Sequence, residues 1–160
     1  MLLWRRIKGN ESENDFALLA NDILLYNGMG CRNVSNVLVP QGYDLSGLIQ
    51  ALNSWDKSRM TESFRKTFLW EKAIAEMKGK IEFACEAVVC LHKEILSPAR
   101  IACLHVVSYR DEIHLAELIA KAKPHIQCIA GIDTRFGETQ SPHFHDFADG
   151  VDTMKLLSGI

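Results

Sequence analysis

The stretch from 101 to 130 constrains the fold more than any other. Ile101-Ala102-Cys103-Leu104-His105-Val106-Val107 is a nearly unbroken β-favouring run, the pattern of a strand covered on both faces. Leu115, Leu118, Ile119 and Ala122 then recur on one face of a helix predicted over 112–122. Pro124 precedes a second apolar run, Ile126-Gln127-Cys128-Ile129-Ala130. Strand, helix and strand in this order form a crossover unit whose two strands run parallel. A chain built around it is α/β, with a mostly parallel sheet and flanking helices.

The remaining pattern agrees. Ser12-Glu13-Asn14-Asp15 resembles a capping box, with Asp in place of Glu or Gln. Phe16, Leu19, Ala20, Ile23 and Leu24 follow at helical spacing, which predicts a helix over 14–27 ended by Gly28. A strand is expected over 34–39, stopped by Pro40-Gln41-Gly42, and a short helix over 44–52. The charged segment 58–80 favours helix, with Phe64, Phe68, Leu69, Ala73 and Met77 as an imperfect stripe and Gly79 at its end. Ala87-Val88-Val89-Cys90-Leu91 is a short β-rich run. Residues 1–8 read as the end of a strand belonging to something larger. Residues 151–157 fit a strand or a helical turn equally well. With no repeat, linker or low-complexity stretch, 1–160 is read as a single domain.

Composition narrows the function. A net charge of −2 gives no basic excess for a nucleic-acid backbone, so no nucleic-acid partner is expected. No apolar run is long enough for a membrane span, and the N-terminal Met-Leu-Leu-Trp-Arg-Arg does not match a signal peptide. The five cysteines are odd in number and lack CxxC spacing, so free thiols in a reducing cytoplasm are expected.

Cys31 stands apart from the other four. Gly28 and Gly30 precede it and Arg32-Asn33 follow it, before the strand that starts at Val34. Glycines open space around a sulfur, and an adjacent arginine lends positive potential to a thiolate. Backbone N–H groups in such a turn can stabilise an oxyanion. The competing reading is a half-buried structural cysteine in a glycine turn. Cys85, Cys90, Cys103 and Cys128 sit in or beside apolar strands, where burial is expected to raise the thiol pKa and leave them inert.

Other chemistries find less support. His143 and His145 would share one strand face, with Asp146, Asp149 or His105 as a third ligand, but no HExxH or cysteine cluster accompanies them and no metal site is expected. His92, His114 and His125 read as surface or strand-end residues. GxGxxG, GxxxxGK[ST] and GxSxG are all absent.

Residues 21–39, NDILLYNGMGCRNVSNVLV, resemble the active-site segment of the bacterial fatty acyl-CoA reductase (LuxC) family, a branch of the aldehyde dehydrogenase superfamily. Glu94-Ile95-Leu96-Ser97-Pro98 is similar to the superfamily's E-I-F-G-P segment, with Leu96 in place of its Phe. Phe136-Gly137-Glu138-Thr139-Gln140-Ser141-Pro142 and Asp149-Gly150-Val151-Asp152-Thr153 resemble the family's C-terminal signature. The resemblance implies an aldehyde dehydrogenase-like catalytic domain with Cys31 as nucleophile. Gly28, Gly30, Arg32 and Asn33 would form its oxyanion loop, and Glu94 would contact the cofactor ribose. It implies NADPH as cofactor and an acyl-CoA or other acyl thioester as substrate. It also implies a dinucleotide-binding domain or subunit beyond this chain, so the cofactor site would be incomplete here. Two other readings stay open. One is a catalytically incomplete interaction or assembly module that forms a homo-oligomer. The other is a nicotinamide-independent cysteine acyl transferase or thioesterase with His143 or His145 as base.

Overall fold

Five longer β-favouring runs and one three-residue segment join into a single six-stranded sheet. In the computed structural model, residues 2–30, 32–83, 85–122, 126–130, 135–141 and 152–159 are described, with 2–4 and 126–130 as backbone only. The strands are β1 (Leu2–Arg6), β2 (Val34–Pro40), β3 (Ile81–Phe83), β4 (Val89–Lys93), β5 (Cys103–Tyr109) and β6 (Ile126–Ala130). Their order is β3-β4-β5-β2-β1-β6. All neighbouring pairs are parallel except β3 with β4. The predicted mostly parallel α/β sheet is therefore present. The two strands of the crossover unit are parallel, as expected, with β2 and β1 inserted between them.

Burial explains this order. β2 and β5 are covered almost throughout and take central positions, whereas β3 is half exposed and lies at the edge. Side chains alternate between the two faces of each strand. On one face, Val37, Val39, Leu104 and Val106 pack with Phe16, Leu19 and Ile23 of α1 (Glu13–Leu24) and Leu48 and Leu52 of α2 (Ser46–Ser54). On the other, Leu38, Val107 and Tyr109 pack with Leu115, Leu118 and Ala122 of α4 (Glu112–Ala122). Ala75 of α3 (Glu62–Met77) meets Val89 and Cys103 on this second face, while Phe64 at the other end of α3 joins the first core.

Several boundaries differ from expectation for visible reasons. The capping box forms: Ser12 Oγ accepts from Asp15 N at 3.2 Å, and Asp15 Oδ2 accepts from Ser12 N at 2.9 Å. α1 stops at Leu24 rather than at 27, and Leu25–Gly28 turn as a 3₁₀ segment with Tyr26 and Asn27 in the left-handed region. α3 starts later than 58 because Thr61 Oγ1 caps it by accepting from Phe64 N at 3.2 Å. Its buried stripe runs through Phe64 and Ala75; Leu69 and Met77, assigned to that stripe from sequence, are 63% and 88% exposed on another side. The antiparallel β3 was not anticipated, since three residues carry too little periodicity. Residues 1–8 contain the strand β1, and the ambiguous C-terminal segment is helical, α5 (Thr153–Ser158), capped by Asp152. Among the described residues no helix is long and apolar enough to cross a membrane.

Candidate functional site

The last carbonyls of a helix lack N–H partners from the next turn. At the end of α1 a single side chain supplies them. Asn33 Nδ2 donates to the carbonyls of Asp22 (3.0 Å), Ile23 (3.1 Å) and Leu25 (2.7 Å). Asn33 Oδ1 accepts from Gly30 N at 2.7 Å, and Asn33 N donates to Gly30 O at 3.0 Å. Asn33 is only 7% exposed, so these bonds form in a dry setting. They hold Gly30 and Asn33 against the helix end. Gly30 is required by close approach: an added Cβ would lie 2.6 Å from Asn33 Oδ1. Gly28 is required by backbone, with φ of +65°. Asn27 Oδ1 accepts from Thr61 N at 2.9 Å and ties the turn to the start of α3.

Cys31 lies outside the described residues, between Gly30 and the buried Arg32. The Gly30 N–H is engaged by Asn33, so Gly30 and Asn33 serve the loop's shape; an oxyanion donor from this turn would be another amide.

A second feature was missed in the sequence. Asp22 is fully buried, and its carboxylate reaches a segment more than a hundred residues away. Asp22 Oδ2 accepts from Gly137 N at 2.8 Å, and Oδ1 accepts from Thr139 Oγ1 at 2.7 Å. Phe136 packs against the core with the Arg5 guanidinium over its ring. Gln140 comes beside Gly30: its Oε1 would be 3.3 Å from a Cβ placed there. The 136–140 and 28–33 segments are thus clamped side by side. Burial raises the Asp22 pKa, opposed by the Thr139 and Gly137 hydrogen bonds and the charge of Arg5. Burial pushes Arg5 down to about 10, against the charge of Asp22. One signal was available: an aspartate on the same helical face as Leu19 and Ile23 must be buried, and a buried carboxylate needs partners.

A cavity of about 80 Å³ lies under the loop, between Gly28, Asn33, Ser35, Phe64 and Arg100. A second, of about 240 Å³, opens between α3, β4, β5 and the connection 94–102, and the two share Arg100 and Cys103 as walls. His105 is buried in the larger one, its Nδ1 3.2 Å from Ser97 O and 3.3 Å from Ser97 Oγ. Burial lowers the His105 pKa, and the charge of Lys93 adds to this. The imidazole is therefore neutral at pH 7. Ser97 belongs to the E-I-L-S-P stretch, and Glu94, at the start of that stretch, is exposed beyond β4.

The other thiols divide. Burial raises Cys90, and burial followed by the charge of Glu71 pushes Cys103 up to about 11, as expected of inert cysteines. Cys85 departs from that expectation: a hydrogen bond from Cys90 and backbone N–H groups of 86–88 outweigh its burial and bring it down to about 6. His92 is exposed, 3.6 Å from Glu82, and His114 Nδ1 accepts from Arg110 N at 3.3 Å. His125, His143, His145, Asp146 and Asp149 lie outside the described residues, as does the side chain of Cys128.

No family model matches the sequence, and no curated protein matches it. Solved structures do. The indole-3-acetaldehyde dehydrogenase AldA of P. syringae, a Cys-to-Ala mutant in complex with NAD+ and IAA, is similar over 79% of this chain and 31% of its own, with a TM-score of 0.52 at 15% identity. The 1-pyrroline-5-carboxylate dehydrogenase from Thermus, with bound NAD, covers 79% of this chain and 30% of its own, with a TM-score of 0.46 at 15% identity. This chain spans about a third of the length of these neighbours. Its mostly parallel sheet with flanking helices has the fold of an aldehyde dehydrogenase-like domain.

Proposed function

We propose that this chain is the catalytic-domain portion of an NADPH-dependent fatty acyl-CoA reductase with Cys31 as its nucleophile. The observation that carries the reading is the clamp on the residues that flank Cys31 in sequence. Asn33 fastens the 28–33 loop to the end of α1, and Asp22 fastens the 136–140 segment beside it. These belong to two of the stretches that carry the resemblance to the reductases, and an aldehyde dehydrogenase-like fold supports it.

In this reading the Cys31 thiolate attacks the carbonyl carbon of an acyl-CoA. The carbon–sulfur bond to coenzyme A then breaks, and the leaving thiolate takes up a proton. One thioester replaces another, so the exchange is close to neutral and the protein's work is positioning and oxyanion stabilisation. Loop amides other than that of Gly30 supply the oxyanion donor. NADPH, when bound, supplies the hydride that releases the acyl group as aldehyde. Glu94, exposed after β4, fits a ribose hydroxyl of that cofactor. The sequence has no glycine-rich phosphate loop, so we propose that a dinucleotide-binding domain or subunit holds the rest.

The test is acylation with radiolabelled acyl-CoA. Label on the wild-type protein, lost in Cys31→Ala, is expected. Label retained in Cys31→Ala, or absent from the wild type, overturns the assignment. A second reading, an assembly module, is favoured by Leu69 and Trp70 of α3 and Met154, Leu156 and Leu157 of α5, all 63% or more exposed. Light scattering that finds a stable homo-oligomer in a protein that does not acylate would select it.

A further inference from the structure

The 240 Å³ cleft between α3, β4, β5 and the 94–102 connection has an unusual lining. Lys78, Lys80 and Lys93 ring it with Arg100, and the carboxylate in its wall, Glu71, is bound to Arg100 at 3.1 Å. The three lysine side chains have no carboxylate partner among the described residues. In a chain of net charge −2 this concentrates positive potential at one concave spot. The wall has a second feature. His105 is 5% exposed, and its Nδ1 faces the carbonyl of Ser97, which can only accept. The neutral ring therefore carries its proton on Nδ1 and leaves Nε2 as an acceptor without a partner among the described residues. His105 lines the cleft, and an open acceptor there can take a ligand hydroxyl. Lysines at the rim call for an anion.

We propose that this cleft binds the sugar-phosphate part of a nucleotide ligand, with phosphate on Lys78, Lys80 and Lys93 and a sugar hydroxyl on His105 Nε2. The cleft, about 240 Å³ and open on one side, has room for one such group. The cleft shares Arg100 and Cys103 with the cavity under the 28–33 loop, so a ligand anchored here extends toward that loop. Coenzyme A and NADPH both carry this chemistry. Choosing between them rests on the reductase reading above; the site itself does not.

The experiment is a ligand-observed NMR titration of the whole chain with coenzyme A, NADPH and ribose 5-phosphate. All three are expected to compete for one site, and the larger ligand that binds more tightly identifies the source. The triple variant Lys78→Gln/Lys80→Gln/Lys93→Gln is expected to bind about tenfold more weakly, and raised salt to weaken the wild type in the same direction. His105→Phe is expected to weaken ribose 5-phosphate more than inorganic phosphate. Lys121→Gln, at an exposed position of α4, controls for bulk charge, and circular dichroism controls for folding. Equal binding by wild type and a folded triple variant, equal loss in Lys121→Gln, or no binding of any ligand overturns the proposal. Cys31→Ala is expected to bind as wild type does, so failure of acylation and failure of this site are read separately.

Discussion

Replacing Asn33 tests the loop clamp most directly. Its amide makes four contacts, but Nδ2 has two protons for three carbonyls, so the side chain supplies about three effective hydrogen bonds. At about 1 kcal/mol net for each, Asn33→Ala should cost about 3 kcal/mol, more if water cannot reach the orphaned groups. Asn33→Asp keeps the shape and the acceptor for Gly30 N–H, but turns an acceptor toward the helix carbonyls. A carboxylate there is disfavoured, so its folded pKa lies above the unfolded value of about 3.9. The sign follows: the penalty is small below that value, where the protonated group can donate, and grows as pH rises through the folded pKa. Urea unfolding at about pH 4 and pH 7 reads both effects, with m-values checking that the transition stays two-state. If Asn33→Ala unfolds within about 0.5 kcal/mol of wild type, or if the cost of Asn33→Asp does not change with pH, the clamp does not hold the loop.

The Arg5 and Asp22 charges should be coupled. Arg5→Met leaves a buried carboxylate without its cation and should cost about 3 kcal/mol, while adding Asp22→Asn recovers part of that loss; additivity in a double-mutant cycle would refute the coupling. Gly30→Ala drives a methyl into Asn33 Oδ1 and should cost about 2 kcal/mol, read as a lower melting temperature and slower labelling of Cys31; an unchanged melting temperature counts against the close approach. Cys85, down at about 6, stabilises the fold at alkaline pH and loses that contribution as pH falls through its folded value. Cys85→Ala should therefore cost more at about pH 9 than at about pH 5, and equal costs would mean the thiol is not depressed.

How much could be read beforehand varies along the chain. β5, α4 and β6 were legible because apolar runs and helical spacing are local signals, and α4 falls on the predicted 112–122. The Ser12 capping box was legible for the same reason. The end of α1 was not, because a partner nine residues beyond Leu24 decides it: Asn33 satisfies the carbonyls early and lets Tyr26 and Asn27 turn left-handed. Sequence chose Cys31 by its glycines and by resemblance, yet could not show that Asp22 joins the loop to residues 137 and 139.

The order of residues by itself determined that this protein is α/β, which faces of α1 and α4 are apolar, and which cysteine is flanked by glycines. Those properties depend on neighbours within one or two turns of chain. Only the tertiary structure decided that β2 and β1 lie between β5 and β6, that 136–140 meets the Gly30 and Asn33 turn, and that Lys78 and Lys80 after α3 and Lys93 of β4 line one cleft with His105. Each of these depends on burial and hydrogen-bond satisfaction across distant segments, which no local pattern encodes.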